Sequence, residues 1–240
     1  MINEILFYQY QRFQEFKMNR LFDGRLAFMF HQIEENTEKW YDERYAITFS
    51  GFRRFIERLQ RAGYEIVSPC DLLKTDGRKK AVMTFDDAFE GVYFEVYPFL
   101  REKKIPFAVF PAVNMLQKDG YINKEMLKEM LNEYDGCHVG AHSLSHCNLR
   151  QLSKEQSRKE IVESGEILES IVGKPIEIFA YPYGSPDAVG KRERKAAGEK
   201  YRIAFGTLQA GMTPKTDLTY IPRININEKN HDCALSGNVL

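Results

Sequence analysis

At 240 residues the chain can form one large domain or two small ones, and its 43% hydrophobic content supplies a sizeable core. Lys plus Arg and Asp plus Glu each total 34, so the formal net charge is zero. With no global field and no long like-charge block, electrostatic recruitment of nucleic acid or of an anionic membrane is excluded as the organising function.

The N-terminal stretch Met1 to Leu21 has no basic region followed by an apolar run, because Gln, Glu and Arg interrupt its aromatics. It does not read as a signal peptide, so a cytoplasmic location is expected, although a chain trimmed of a leader reads the same way. Leu26-Ala-Phe-Met-Phe30 is a buried strand ending at His31. Thr48 or Ser50 caps a helix whose stripe Phe52, Phe55, Ile56 and Leu59 returns to one face, with Gly63 as its stop. Strand patterns follow at Tyr64 to Ser68 and Ala81 to Phe85, then a helix over Val92 to Lys103 broken early by Pro98. Phe107 to Phe110 is a strand, Lys124 to Asn132 a helix, and Cys137 to Ala141 a strand.

Ser153-Lys-Glu-Gln156 is a capping box opening a long helix with Ile161, Gly165, Leu168 and Val172 on one face. Ile176 to Ala180 and Arg202 to Gly206 are strands with a polar helix between them. The run Lys191-Arg-Glu-Arg-Lys195 in that helix reads as a solvated face rather than a phosphate patch. The four cysteines, Cys70, Cys137, Cys147 and Cys233, lie far apart without a C-x-x-C pair, which favours reduced thiols over a disulfide framework. No apolar stretch is long enough to span a bilayer. Strands alternating with helices imply a parallel sheet with crossover connections, and this many units suggest a closed or nearly closed barrel. One domain over 1–240 is expected, with 1–24 as an N-terminal extension and 25–225 as the barrel.

In such folds chemistry collects at the C-terminal ends of the strands. His31, Asp86, Asp87, His142, His146 and Tyr183 all fall just after a predicted strand. Catalytic zinc commonly takes three protein ligands from histidine and carboxylate, and Asp87, His142 and His146 supply that set. Asp86, turned the other way at the strand end, is left to take a proton from a bound water. Taken singly these signals are weak: Asp-Asp after a strand also makes an ordinary Asx turn, and an H-x-x-x-H pair can arise by chance. It is their combination at strand ends that carries the metal reading.

Thr84-Phe-Asp-Asp87, His142-Ser-x-x-His146 and Tyr181-Pro-Tyr-Gly184 resemble the first three motifs of the polysaccharide deacetylases, carbohydrate esterase family 4 or NodB-homology domains. The resemblance spans roughly His31 to Arg223. It implies a distorted (β/α) barrel, related to the TIM barrel, and metal-dependent removal of acetyl groups from sugars. On motif matching it implies Asp86 as base, Asp87, His142 and His146 as ligands, and the Tyr183 backbone N–H as an oxyanion donor. Zinc is the metal expected from the ligand types, with cobalt, nickel or manganese fitting the same set.

Two departures stand out. The arginine that orients the base in typical members is replaced by Ala180, and Arg223 in Ile221-Pro-Arg-Ile224 is the best substitute. The C-terminal Leu-x-His motif, whose histidine protonates the leaving amine, is missing. Phe30-His31 and the segment from Phe52 to Ser68 resemble the subgroup acting on poly-N-acetylglucosamine, where that histidine is N-terminal. His31 is therefore favoured as the acid over His231, the competing reading being a buried structural histidine. His138 reads as a core residue or one orienting a ligand, and Cys147 as structural unless its loop folds back. Phe52, Phe55 and Phe99 read as core, while Trp40 and Tyr41 are candidates for a substrate wall.

The expected function is a metal-dependent sugar N-deacetylase acting on an acetylated glycan. A metal-containing glycan-binding module and a hydrolase of small non-sugar amides remain as alternatives.

Overall fold

The computed structural model describes residues 23–232. The segment read for a signal peptide, nearly all of the expected 1–24 extension, and Cys233 lie outside the described residues. In chain order the elements are β1 (Arg25–Phe30), β2 (Gln32–Ile33), β3 (Ala46–Ile47), α1 (Phe49–Arg61), β4 (Glu65–Ile66) and β5 (Lys80–Asp86). Then come α2 (Tyr97–Glu102), β6 (Phe107–Phe110), α3 (Lys124–Glu133), β7 (Cys137–Val139) and α4 (Lys154–Val172). The last are β8 (Ile178–Ala180), α5 (Lys191–Lys200), β9 (Ile203–Phe205) and β10 (Ile224–Asn225).

A six-stranded sheet runs β10-β1-β5-β6-β7, with β4 also on β5, and every pairing is parallel. β4 pairs with the base of β5 (Glu65 opposite Lys80), while β6 pairs with its top (Asp86 opposite Phe110). The separate β8–β9 pair joins this sheet at both sides. A bridge from Ala141 to Phe179 extends β7 onto β8, and one from Phe205 to Ile221 leads from β9 toward β10. From Ile221 the chain runs into β10, which pairs with β1. This is the distorted (β/α) barrel architecture, with the short β2–β3 pair outside the ring.

Side-chain alternation separates two apolar layers. Ala27, Val82, Ala108, Phe110, Ile178, Ala180, Ile203, Phe205 and Ile221 form one cluster inside the ring. Their neighbours Phe28, Phe30, Met83, Phe85, Val109, Phe179 and Ala204 join a larger cluster with the helices. Phe55 meets Phe28 edge-on at 4.9 Å and Phe52 meets Phe30 at 5.1 Å, so α1 is clamped over β1. Phe99 packs on the same core from a partly buried position.

Thr48, rather than Ser50, caps α1 by accepting from the Gly51 N–H, and the capping box of Ser153 and Gln156 opens α4. Pro98 does not break a helix. A π-helical turn over Val92–Val96, closed by the Tyr97 N–H on the Val92 carbonyl, precedes α2, and Pro98 sits in the first turn of α2. The wider π-helical turn precedes the proline, and the helical path continues through it into α2. The strand expected over Tyr64 to Ser68 shrinks to β4. The basic run in α5 is only partly solvated: Arg192 donates to Glu193 and to the carbonyls of Leu149 and Arg150, and Arg194 lies over the Tyr220 ring at 3.9 Å. Among the described residues no helix is long and apolar enough to cross a membrane.

Gly140, at the turn from β7 toward His142, has no room for a side chain. A Cβ there would collide with the Phe110 ring and lie 2.7 Å from Ile178 Cγ1. Gly140→Ala is expected to destabilise the fold by about 1–3 kcal/mol through overpacking, read as a lower urea midpoint at unchanged m-value.

Candidate active site

Successive residues of an extended strand point to opposite faces, yet both carboxylates of Asp86-Asp87 reach one cavity. The backbone explains how. Asp86 ends β5 pointing into the ring, and Asp87 takes a left-handed conformation (φ 63°) that turns its carboxylate back. Among the described residues the other non-glycine positions with positive φ are Ala88 (59°), Lys104 (54°), Ser143 (64°), His146 (56°) and Tyr183 (61°). All except Lys104 lie in the loops after β5, β7 and β8. Such conformations cost of order 1–3 kcal/mol each and persist only where their surroundings enforce them.

Those loops bring three donor groups together. His146 Nε2 lies 3.1 Å and His142 Nε2 3.6 Å from Asp87 Oδ1, and the three ligand atoms fall within 4.8 Å of one another. His142 Nδ1–H donates to the Ala180 carbonyl at 2.8 Å, which commits Nε2 and its lone pair to the cavity. The 143–146 turn is anchored from α4: Glu160 accepts from the N–H groups of Leu144 and Ser145, each at 2.9 Å, and from the Ser145 hydroxyl. Glu160 was not singled out in the sequence, where it is one of many charged residues on a long helix. Two imidazoles and a carboxylate suit a divalent ion, and the fixed tautomer of His142 fits that use.

Burial lowers the His142 pKa to about 4. Burial also opposes charge on His146, but the hydrogen bond and negative charge of Asp87 outweigh it and raise the pKa. For Asp87 burial works against ionisation, yet His146 and His142 hold its pKa well below the usual range.

Asp86 is 2% exposed and its partner Arg223 is fully buried. The guanidinium is bidentate, Nη1 to Oδ1 and Nη2 to Oδ2, each 2.7 Å. Arg223 Nε–H donates to the Gly206 carbonyl, and Nη1 also donates to the Thr84 hydroxyl, which in turn donates to the Phe28 carbonyl. Burial disfavours the Asp86 anion, but the adjacent guanidinium and neighbouring imidazoles keep its pKa low. Arg223, on the approach to β10, thus holds Asp86, whereas the side chain of Ala180 offers it no charge.

His31 opens into the same cavity of about 700 Å³ as Asp86, Asp87, His142, His146 and Tyr183. Burial lowers its pKa. His231 does not join them: it is buried elsewhere, with Nδ1 on the Glu228 carbonyl and Nε2 against Arg54. His138 orients no ligand either. It lies in β7 and lines cavities at the opposite end of the strands, beside Asp135. The Tyr183 ring is 60% exposed beside His146, and its N–H donates to no acceptor among the described residues. Cys147 is outside the ligand group.

The candidate wall splits in two. Tyr41 lines the cavity, whereas the Trp40 indole is pinned to the Glu34 carbonyl and stays out of it. Tyr45, and the pair Phe89–Tyr121 stacked at 4.9 Å, also line it. Sequence reading missed that pair, because the antiparallel bridge joining them spans a loop without a strand pattern.

A family model described as polysaccharide deacetylase matches residues 73–201, more than half of the chain. The chain belongs to the polysaccharide deacetylase family. It is 29% identical over 203 residues to poly-beta-1,6-N-acetyl-D-glucosamine N-deacetylase of Staphylococcus aureus (strain MSSA476), covering 78% of this chain and 69% of that protein. It is 24% identical over 139 residues to YxkH of Bacillus subtilis (strain 168), which carries a polysaccharide deacetylase name; the match covers 55% of this chain and only 49% of that protein. Among solved structures, IcaB from Ammonifex degensii superposes with a TM-score of 0.74 at 22% identity, over 88% of this chain and 94% of that one. Streptococcus pyogenes deacetylase PplD gives 0.75 at 19%, over 85% and 92%. These two likenesses carry the fold.

For this polysaccharide deacetylase, Arg223→Ala leaves a buried carboxylate unpaired and is expected to cost about 3–5 kcal/mol of stability in chemical denaturation. The double variant Asp86→Ala, Arg223→Ala should cost less than the sum of the two single changes. A second expectation concerns pH. Burial holds the folded pKa of His142 (about 4) and His31 below the unfolded value. The unfolded chain therefore binds their protons first, and stability falls as pH drops from about 6.5 toward 4. His146, with its raised pKa, opposes this and withdraws stability as pH rises through its folded value. The melting temperature of chelator-treated protein should accordingly decline between pH 6.5 and 4.

Proposed function

We propose that the chain is a metal-dependent N-deacetylase of a poly-N-acetylglucosamine-type glycan, with residues 25–225 as its catalytic barrel. The observation that carries this reading is a buried, arginine-held carboxylate directly beside a separate Asp–His–His ligand group in one open cavity. Asp87, His142 and His146 would hold the ion, with zinc expected from the donor set. A divalent ion bound there supplies Lewis acidity and can bring the pKa of water from about 15.7 to about 7.

The rest is done by the chain's own groups. Asp86, kept ionised and aimed by Arg223, takes the proton of the attacking water. The Tyr183 N–H, without an acceptor among the described residues, donates to the oxygen of the acetamide carbonyl as it becomes an oxyanion. His31 gives a proton to the amide nitrogen as the carbon–nitrogen bond breaks, so that acetate and a free amine leave.

The substrate assignment draws on the name of the staphylococcal relative. The shape of the site supports it, since aromatic faces at Tyr41, Tyr45 and the Phe89–Tyr121 stack suit the flat faces of several sugar units. A site for small non-sugar amides has no use for so wide an approach. The bidentate grip of Arg223 on Asp86 weighs against a binding module that has lost catalysis.

Acetate release from a panel of N- and O-acetylated glycans tests the reading. Turnover is expected on N-acetylglucosamine oligomers, abolished by chelation and restored by added metal. Asp86→Asn should retain metal while losing about 10²–10⁴ in kcat. Full activity in that variant, or turnover indifferent to chelation, overturns the assignment.

A further inference from the structure

Among the described residues, two buried polar atoms of the cavity residues have no hydrogen-bond partner: His31 Nδ1 and Asn225 Oδ1. Asn225 lies on β10, and His31 directly follows β1, the parallel neighbour of β10. Met29 on β1 is in register with Asn225 on β10, and His31 lies two residues beyond Met29, so it shares Met29's face. Met29, His31 and Asn225 all line the cavity, whereas the intervening Phe30 and the flanking Ile224 and Ile226 belong to the outer core.

The Asn225 amide is not free to turn. Its Nδ2 donates at 3.0 Å to the Arg44 carbonyl, which also accepts from Asn227 Nδ2 at 2.9 Å. A flip would set Oδ1 against that carbonyl oxygen, so Oδ1 remains an acceptor without a donor. Asn225 is 9% exposed, and no water-sized space adjoins Oδ1. On His31 the buried nitrogen is Nδ1, which leaves Nε2 toward the cavity, while the ring rests at 4.7 Å from that of Tyr45. A donor-capable nitrogen and an unpaired acceptor, each costly to leave buried and unmade, therefore sit on neighbouring chain segments that line one cavity.

We propose that Asn225 is a positioning residue for His31. As substrate settles against the loop bearing Tyr45, Asn225 Oδ1 receives the Nδ1–H of His31 and fixes the tautomer that presents Nε2 to the leaving nitrogen. This rests on the reading of His31 as the acid. The imidazolium passes its Nε2 proton to the amine nitrogen as the carbon–nitrogen bond breaks, and the Nδ1–H stays donated to Asn225 throughout. A neutral amide orients the ring without holding its charge as a carboxylate would.

The same residues link this pairing to the substrate wall. Asn225 and Asn227 tether the Arg44 carbonyl, Glu228 N–H donates to the Ala46 carbonyl, and Lys229 pairs with Glu43 at 2.6 Å. The chain after β10 thus straps down the β2–β3 loop that carries Tyr41 and Tyr45. The charged groups acting on His31 are Asp86, Asp87, Arg223 and His146 from the strand ends, with Asp42 from this loop.

The test is the tautomer of His31, read by nitrogen NMR on the full chain labelled at histidine, in the presence of N-acetylglucosamine oligomer. The Nδ1–H form is expected in the wild type, and a shift toward Nε2–H in Asn225→Ala. Asn227→Ala removes the second tether on Arg44 but keeps the acceptor, and should leave the tautomer in place. In kinetics, Asn225→Ala should lower kcat by about 10- to 100-fold with KM within about twofold, a part of the effect of general acid catalysis. Asn225→Asp should move the basic limb of the kcat profile upward by about one pH unit, because a carboxylate favours the imidazolium. An Nε2–H tautomer in the wild type, or a tautomer and pH profile unmoved by both Asn225 variants, overturns the proposal. If Asn225 governs the tautomer while no acetylated glycan is turned over, the pairing stands and the deacetylase reading falls.

Discussion

The ion pair between Asp86 and Arg223 is the contact on which the site depends. It links the top of β5 to the approach to β10 on the far side of β1, and both partners lie out of water. A buried pair of this kind is poor evidence of net stability, because desolvation consumes most of the Coulombic gain. Its value lies in geometry. With both oxygens gripped and the guanidinium further held by Gly206 and Thr84, the carboxylate has one orientation. Removing either partner strands a charge in the ring interior, so the carboxylate of Asp86 and the integrity of the barrel are coupled.

Around that fixed point the two aspartates acquire different work from their backbone. Asp86 keeps the strand conformation and points inward to the arginine, while Asp87 enters the left-handed region and turns toward His142 and His146. The strain collected in the loops after β5, β7 and β8 is the cost of setting these groups at one point. It is sustained by ordinary fastenings, such as Glu160 under the 143–146 turn and the Ala180 carbonyl behind His142. Position 180 thus serves the site through its backbone carbonyl.

Much of this was legible in the residues. The alternation of apolar runs and helical stripes located β1, β5, β6, α1, α3 and α4, because each buries a face whose period is visible in one dimension. What escaped was set by tertiary contact. β2, β3 and β10 are two residues long and owe their existence to neighbours rather than to propensity. Asn225, Glu160 and the Phe89–Tyr121 stack carry no local signature, since their meaning is a partner far along the chain. That Arg223 lies against Asp86 could be suspected from a missing arginine, but only the ring closure through Ile221 brings it there. Pro98 misled because a proline reads as a break unless the turn before it is π-helical.

On the proposed reading, one carboxylate and two imidazoles hold a metal while the adjacent carboxylate stays on its arginine. X-ray absorption at the zinc edge of the zinc-loaded full chain tests this most directly. The expected spectrum shows nitrogen and oxygen neighbours only, at about 2.0–2.2 Å, with histidine scattering from two imidazoles. The same shell should persist when Asp86 is replaced by asparagine, and be lost with Asp87→Ala. A sulfur neighbour at about 2.3 Å, the signature of thiolate ligation by Cys147, or a shell that changes with Asp86 rather than Asp87, would contradict it.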